Sequence, residues 1–265
     1  MKKAYAQLPG GQLHYRTAGD AGLPTWLLLH RTAASSVMYE PLIDELDGYR
    51  CVAPDTPGFG GSFDVDGWPD ISAYAGWIEQ FMDVMEIERC WIFGHHTGAN
   101  IAVELAHRLP RRVIGLALMG LTYFTAEERA AFKPHFVEEF TPVNDGSHLD
   151  ANWRWAKQLA VDAAGEGCVH QEFLDTARAY RGRVQAFAAV WDQDLPTRLQ
   201  ALDLPLLVMS AEDEMLYQYF PRILEALPHA AHGTIKQGGS FAPELAAPEL
   251  ARQLQSWVSG HNEAR

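Results

Sequence analysis

Cys90-Trp91-Ile92-Phe93-Gly94-His95-His96-Thr97-Gly98 is the stretch that decides the fold of this 265-residue chain. The apolar run Cys90–Phe93 predicts a buried strand, and the run Ala99–Leu109 predicts a helix that stops before Pro110. A strand, a tight glycine turn and a helix are the usual setting of a catalytic nucleophile, spelled G-x-S-x-G. The central residue here is His96, so the turn is present without its usual serine.

The composition is that of an ordinary globular protein, with 48% hydrophobic and 21% charged residues and a formal net charge of −13. An acidic surface repels nucleic acid and anionic membranes, so we expect neither as a partner. The N-terminal segment lacks the apolar stretch of a signal peptide, and no apolar run approaches the length of about 18 residues that a membrane span needs. The three cysteines form no Cys-x-x-Cys pair, and we expect free thiols in a reducing cytoplasm.

Short apolar runs alternate with helical patterns, which predicts a mostly parallel sheet flanked by helices. Two segments, near Lys3–Gln7 and Gln12–Arg16, flank Pro9-Gly10-Gly11 and predict a hairpin. The other predicted strands are Thr25–His30, Arg50–Pro54, Cys90–Phe93, Val113–Met119, Pro205–Ser210 and Gly233–Lys236. The predicted helices are Val37–Leu46 (with Ser35 or Ser36 as its cap), Ile71–Met85, Ala99–Leu109, Tyr219–Leu227 and Pro248–Val258.

The alternation of strands and helices fails between residues 121 and 198, which we name the inserted segment. Its helical and aromatic character predicts a lid over the carboxyl edge of the sheet, where α/β sheets bind ligands. Residues 1–120 and 199–265 then form the core. Tyr123, Trp155 and Trp191 are candidates to line a pocket under the lid. The alternative is that they belong to the segment's own core, with Phe124, Phe132, Phe136, Phe140, Trp153, Phe173, Tyr180 and Phe187.

Five segments match, in order, the motifs of a known family. They are the strand Leu27–Arg31, which ends His-Arg in place of His-Gly; the loop Tyr49–Ser62; the turn Gly94–Gly98; the strand and acid loop Leu206–Glu214; and Gly238–Phe241, where the family reads Gly-Gly-His-Phe. On these segments the chain resembles the α/β-hydrolase superfamily over nearly its full length. The resemblance implies an α/β-hydrolase fold and an enzyme with a triad in the order nucleophile, acid, histidine.

Carried over position by position, the resemblance implies that His96 stands in the nucleophile slot and Ser240 in the histidine slot. The acid slot is Glu214 or its neighbour Asp213. Arg31 replaces the glycine that lies beside the oxyanion site. The two ends of the triad are therefore occupied by each other's residue types, and the usual acyl-enzyme chemistry is not expected.

We expect His96 to act as a general acid or base, because imidazole is available in both forms near neutral pH. Glu214 or Asp213 would orient its ring. The Thr97 N–H and the backbone near Arg31 would bind an anion at the helix N-terminus, and the Arg31 guanidinium would add positive charge. This set predicts cofactor-free proton transfer on a small, partly apolar carbonyl compound, as in a lyase, isomerase, cyclase or decarboxylase.

Three alternatives stay open. His96 could attack a carbonyl directly. Ser240 could attack an ester or a C–C bond with His96 as its base, in a mirrored hydrolytic triad. The protein could also be a pseudoenzyme that only binds a ligand. The sequence does not decide between a monomer and a homodimer.

The other histidines have less specific roles. His30 and His95 are candidates to contact substrate, or to brace the loops around the site. Together with His96 and Glu214 they could converge on a metal ion, but the spacing H-x-x-x-H or H-x-x-E-H is absent. We therefore expect neither a metal nor another cofactor. The stretch Asp145-Gly146-Ser147-His148 predicts a turn.

Overall fold

Eight strands form one sheet within the part of the chain that the computed structural model describes, residues 1–137, 141–159 and 164–262. Their order across the sheet is β1-β2-β4-β3-β5-β6-β7-β8. The pairs β1–β2 and β2–β4 are antiparallel and the other pairs are parallel, which confirms the hairpin and the mostly parallel sheet. The strands are β1 (Lys2–Leu8), β2 (Gly11–Ala18), β3 (Thr25–Leu29), β4 (Arg50–Pro54), β5 (Cys90–His95), β6 (Val113–Met119), β7 (Leu206–Ala211) and β8 (Ala231–Ile235).

The described helices connect these strands, and none of them is long and apolar enough to cross a membrane. They are α1 (Glu40–Glu45), α2 (Ile71–Val84), α3 (Thr97–Arg108), α4 (Ala126–Phe136), α5 (Ser147–Leu159), α6 (Glu166–Arg178), α7 (Tyr180–Asp192), α8 (Leu195–Gln200), α9 (Phe220–Ala226), α10 (Ala242–Leu245) and α11 (Ala247–Asn262).

The central strands β3, β5, β6 and β7 are mostly apolar because helices cover both faces of the sheet there. In β5 all six residues are buried. Its Ile92 packs in the hydrophobic cluster that contains α2 and α3, whereas Trp91 and Phe93 pack in the cluster that contains α1 and α11. This two-sided burial fixes the register of the central strands, and with it the positions of the residues that follow their carboxyl ends.

The chain after β3 departs from the predicted helix start. A 3₁₀ turn, Ser36–Tyr39, precedes α1, and neither serine side chain caps a helix. Ser35 Oγ donates to Asp175 Oδ2 at 3.2 Å, and Ser36 Oγ accepts from Arg16 at 2.7 Å. The predicted serine cap is wrong because charged side chains take both hydroxyl groups.

Helices α4–α8 lie between β6 and β7, in the region predicted to be the inserted segment. Its turn at Asp145 is confirmed, since Asp145 Oδ1 accepts from Ser147 N at 3.0 Å. His148 lies at the same turn, where its Nδ1 accepts from the Val143 N–H at 3.2 Å. Phe140 lies outside the described residues.

A contact between two glycines holds α7 against the core. A Cβ on Gly182 would lie 2.4 Å from the carbonyl oxygen of Gly58, and a Cβ on Gly58 would lie 3.2 Å from the Gly182 Cα. Both distances are shorter than ordinary van der Waals contact. Gly182 therefore lets the inserted segment approach the core backbone closely.

We predict that Gly182→Ala destabilises the protein by about 1–3 kcal/mol, because backbone must move to admit the methyl group. Amide hydrogen exchange should increase in α7, and the midpoint of thermal unfolding should fall by several degrees. The matched control is Gly167→Ala in α6, where an added Cβ meets no heavy atom within 4 Å. That change should leave stability equal or slightly higher, since alanine favours helix. Equal stability of the two variants would contradict the role given to Gly182.

Candidate active site

His96 lies at a strained turn between β5 and α3. Its backbone angles are φ 48° and ψ −112°, a conformation that non-glycine residues seldom adopt. The neighbouring glycines make this turn possible: a Cβ on Gly98 would lie 1.9 Å from the Leu29 carbonyl oxygen, and one on Gly94 would lie 2.6 Å from the Gly98 oxygen. The predicted turn is therefore present, with the imidazole of His96 at its apex.

Glu214 is the residue that pairs with this imidazole. Its Oε1 directly contacts His96 Nε2, and its side chain is only 1% exposed, against 19% for that of His96. Glu214 follows β7, whose carboxyl end lies on the same edge of the sheet as that of β5. The sequence left the acid open between Glu214 and Asp213, and the geometry brings Glu214 to the ring.

Asp213 points to a different partner. Its two carboxylate oxygens accept hydrogen bonds from the backbone N–H groups of Gly238 and Gly239, at 2.9 and 2.8 Å. Asp213 thus holds the late loop in place instead of orienting His96. The adjacent residues Asp213 and Glu214 therefore have different partners: Asp213 binds the late loop, and Glu214 contacts His96.

Gly120 flanks the pair of His96 and Glu214. It directly follows β6 and has a φ of +66°, in the region that favours glycine. A Cβ there would lie 2.7 Å from His96 Nε2 and 3.1 Å from Glu214 Oε1. Because Gly120 has no side chain, the imidazole of His96 and the carboxylate of Glu214 can occupy the space beside it.

His95 is fully buried beside His96, with their ring centroids 4.6 Å apart. Neither of its ring nitrogens has a hydrogen-bond partner among the described residues. Burial, and then the positive charge that His96 and Arg31 can carry, hold the pKa of His95 well below its usual value. Its imidazole is therefore neutral.

Two histidines and one carboxylate converge here. One ligand atom from each of His95, His96 and Glu214 lies within 4.8 Å of the others, which is a donor set that a divalent metal can use. His96 Nε2 and Glu214 Oε1 already contact each other, so a metal would have to separate them. The expectation of no metal stays a prediction.

His30 braces two loops. Its Nε2 accepts from the Thr56 N–H at 2.8 Å, so its proton is on Nδ1, which donates to the Arg31 carbonyl at 2.8 Å. Burial lowers its pKa, and both nitrogens are occupied. The geometry agrees with the bracing role considered above, and no free ring nitrogen remains to contact a substrate.

Arg31 is engaged with the inserted segment. Its Nη2 donates to Glu172 Oε2 in α6 at 2.7 Å, and its Nε donates to the Ser240 carbonyl at 2.9 Å. Its guanidinium also lies 4.8 Å from the ring centroid of Phe241. Burial opposes the charge, but the adjacent Glu172 keeps the pKa of Arg31 above its ordinary value. The guanidinium thus forms a salt bridge to the inserted segment, while its Nη1 is buried without a hydrogen-bond partner among the described residues.

Thr97 begins α3, directly after His96, and Ser240 lies in the late loop. Thr97 Oγ1 and Thr32 Oγ1 are 2.8 Å apart, which links the start of α3 to the loop after β3. The Thr97 N–H belongs to the unpaired first turn of α3, where an anion is stabilised. The Ser240 hydroxyl makes no hydrogen bond to His96 within the described ranges.

The three aromatic candidates lie in different surroundings. Trp191 is buried, with ring centroids of Phe124 and Phe132 at 5.6 and 5.7 Å, so it belongs to the aromatic core of the inserted segment. The Tyr123 hydroxyl accepts from Gln200 at 2.8 Å. The ring of Trp155 lies beneath the guanidinium of Arg183, 5.2 Å away.

The sequence alone did not identify two residues of the site, Gly120 and Glu172. Gly120 gave a signal, because a glycine directly after a buried strand indicates a positive φ or a close approach. Glu172 gave none, since a glutamate in an amphipathic helix usually faces solvent. Its partner Arg31 is 141 residues away along the chain.

Comparisons with known proteins agree on the family. A family model described as alpha/beta hydrolase fold matches residues 24–246. A putative carbamate hydrolase, RutD, from Agrobacterium fabrum is 29% identical over 90% of this chain and 93% of its own length. A haloalkane dehalogenase from Mesorhizobium japonicum is 32% identical over 44% of this chain. That match spans only 38% of the dehalogenase.

The fold comparison gives the same result. The crystal structure of a bromoperoxidase from Bacillus anthracis superposes with a TM-score of 0.82, at 17% identity, over 97% of this chain and all of that chain. The crystal structure of an enol-lactonase from Burkholderia xenovorans superposes with a TM-score of 0.75, at 18% identity, over 97% of this chain. At these identities the likeness establishes the fold.

We predict that Gly120→Ala separates His96 from Glu214, because the new methyl group would occupy their contact. The imidazole ¹⁵N and ¹H resonances of His96 should shift, as should the ring position in a crystal structure. Gly76→Ala in α2 is the control, since its Cβ would meet only an Arg108 nitrogen at 3.7 Å. An unchanged His96 spectrum in Gly120→Ala would show that this glycine does not position the pair.

Proposed function

The chain belongs to the alpha/beta hydrolase fold family, and we propose that it is an enzyme in which His96 and Glu214 perform cofactor-free acid/base chemistry on a small carbonyl compound. The observation that carries the proposal is the direct contact between His96 Nε2 and the buried carboxylate of Glu214, at the apex of the strained turn. In this family that apex is the position of the reacting side chain.

The contact with Glu214 bears on which ring nitrogen carries the proton. We infer that it is Nε2, because an ionised carboxylate accepts hydrogen bonds and does not donate them. Nδ1 then holds the free lone pair. Because Nε2 is buried, the exposed fraction of His96 belongs to the rest of the side chain. We infer that Nδ1 is the atom that exchanges protons with the substrate.

A proton-transfer step follows from this arrangement. Nδ1 removes a proton from the carbon next to the carbonyl, the C–H electron pair moves into an enolate, and His96 becomes an imidazolium. Glu214 stabilises that cation. The enolate oxygen is stabilised by the Thr97 N–H at the N-terminus of α3. Return of the proton to another carbon gives isomerisation, and loss of a leaving group gives elimination.

Apolar surroundings would suit a substrate with an apolar part. The inserted segment supplies aromatic rings. One of them is Trp155, which lies beneath the guanidinium of the buried residue Arg183. An aromatic or aliphatic portion of the substrate would pack there while the carbonyl lies over His96.

Hydrolysis is the second candidate, and the relative named as a putative carbamate hydrolase favours it. In this version His96 and Ser240 act together on an ester or a C–C bond. The backbone carbonyl of Ser240 accepts a hydrogen bond from Arg31, and this version requires the Ser240 hydroxyl to form a hydrogen bond with His96. A protein that only binds its ligand is the third outcome.

We predict that His96→Ala lowers proton exchange by about 100- to 10,000-fold, the usual contribution of a general base. The assay follows deuterium incorporation by NMR into a panel of small ketones and β-keto acids in D₂O. Glu214→Gln should also lower the rate, because a neutral amide stabilises imidazolium less. The control is His229→Ala, an exposed histidine. Full activity in His96→Ala would exclude the mechanism.

Ser240→Ala distinguishes the two catalytic candidates. Under proton transfer, deuterium incorporation should fall little, since the hydroxyl takes no proton. Under hydrolysis, turnover of p-nitrophenyl esters should be abolished by Ser240→Ala as well as by His96→Ala. Thermal stabilisation by a ketone with neither exchange nor ester turnover would instead indicate a binding protein.

Chelation separates acid/base chemistry from a metal centre. We predict that dialysis against EDTA leaves deuterium exchange unchanged, because Nδ1 needs no metal to accept a proton. Loss of exchange after dialysis, with recovery on adding Zn²⁺, would instead assign His95, His96 and Glu214 to a metal.

A further inference from the structure

Two buried contacts join helix α6 of the inserted segment to the core. Glu172 Oε2 accepts a hydrogen bond from Arg31 Nη2 at 2.7 Å, and Asp175 Oδ2 accepts one from Ser35 Oγ at 3.2 Å. Both core residues lie in the loop after β3. We name these two contacts the α6 joint.

Asp175 differs from Glu172 in having no cationic partner. Arg31 pairs with Glu172, whereas no lysine, arginine or histidine in the described ranges forms a salt bridge with Asp175. Asp175 is nevertheless only 8% exposed. A buried carboxylate without an ionic partner is costly, and hydrogen bonds from neutral groups offset only part of that cost.

Two other carboxylates adjoin Asp175. Glu172 precedes it by three residues on α6, so the two side chains share one face of the helix. Asp55 follows β4; its Oδ2 pairs with His14 Nδ1 at 2.8 Å, and its Oδ1 accepts from the Ser36 N–H at 2.7 Å. These partners outweigh burial and lower the pKa of Asp55 to about 2, so it stays ionised. Both neighbours therefore disfavour a further negative charge on Asp175.

A proton on Asp175 removes this conflict. A neutral carboxyl keeps an oxygen that can accept from Ser35, and it carries no charge to repel Glu172 or Asp55. When α6 moves away from the core, Asp175 enters water, where its charged form is favoured. Packing of α6 and protonation of Asp175 are therefore linked.

We propose that the α6 joint is a pH-sensitive switch, in which a proton on Asp175 holds the inserted segment against the core and loss of that proton loosens it. His96 and Glu214 are not part of the joint, so the proposal does not depend on the proposed function.

The electrostatic surroundings of Asp175 agree with this direction. Burial, and then the charges of Glu172 and Asp55, raise the pKa of Asp175 to about 6, against the hydrogen bonds from Gln171 and Ser35. The raised value belongs to the packed state, because it depends on contacts that exist only while α6 lies on the core.

The other titratable groups beside the joint keep one protonation state in the range where Asp175 titrates. They are Arg31, Tyr39, Glu40, Cys168 and Glu244. Burial raises the pKa of Glu244 to about 8, and it holds the pKa of Tyr39 and of Cys168 above the ordinary values. The pKa of Arg31 is also raised, by Glu172. Pairing with Arg16 outweighs burial and lowers the pKa of Glu40.

The sign of the effect follows from these values. An aspartate in water has a pKa of about 3.9, so between about pH 4 and 6 the packed state holds a proton that the open state lacks. The equilibrium constant for opening of α6 therefore rises by up to about tenfold per pH unit in this range and levels off above it. Mild acid holds the inserted segment closed, and neutral pH loosens it.

Amide hydrogen exchange of α6, followed by mass spectrometry between about pH 4.5 and 7, tests the switch in the wild type and in Asp175→Asn. The asparagine keeps an acceptor for Ser35 but cannot ionise. The ratio of the two opening constants, wild type over variant, cancels the intrinsic pH dependence of exchange. We expect this ratio to rise about 20-fold across the range, and we expect peptides from β5 to show no such rise.

Asp64→Asn is the matched control. It removes the exposed partner of Arg178, which donates to Asp64 Oδ1 at 2.9 Å from the end of α6. This change should loosen α6 by the same factor at each pH. Unfolding curves confirm that each variant is folded.

A second measurement needs no variant to fold. The ¹³Cγ resonance of Asp175 in the wild-type protein should titrate near pH 6. Titration of that resonance near pH 4, or a wild-type to Asp175→Asn ratio that does not change with pH, would overturn the proposal.

Discussion

The contact between the backbone at Gly98 and the carbonyl oxygen of Leu29 is the constraint on which the candidate site depends. It leaves no room for a side chain at Gly98, and it brings the start of α3 against the end of β3. His96, two residues before Gly98, has a positive φ at this turn. The strain there, about 1–3 kcal/mol for such a conformation, is offset by the burial of β5 and α3 on both sides. The imidazole is thereby fixed before any ligand arrives.

Charge balance is the second constraint. Glu214 is buried, with His96 as its one ionic partner among the described residues. A lone buried carboxylate is strongly disfavoured, so the imidazole stabilises the carboxylate as much as the carboxylate orients the imidazole. Gly120 leaves the volume in which the two groups meet. His96, Gly120 and Glu214, which follow β5, β6 and β7, thus meet at the carboxyl edge of the sheet.

The sequence predicted those parts of the fold that depend on local patterns. The turn at His96 was predictable because two glycines, a buried strand and a helix each leave a signal within ten residues. The choice between Glu214 and Asp213 was not, since it depends on which way a loop turns its side chains. Arg31 and Glu172 could not be paired from the sequence, because their contact requires the packing of α6 on the core. The serine cap failed for the same reason: Asp175 and Arg16 reach the hydroxyl groups from distant segments.

The bridge formed by Arg31 also bears on how such a site can change over generations. The single change His96→Ser would leave Glu214 buried beside a neutral hydroxyl. Restoring the glycine at position 31 would release Glu172 inside the protein and detach α6 from the late loop. The changes at His96 and at Arg31 would therefore each leave a buried carboxylate without its ionic partner. Substitutions at His96 and at Arg31 are thus coupled to the buried acid that each residue contacts, so neither position can change alone without a cost in stability.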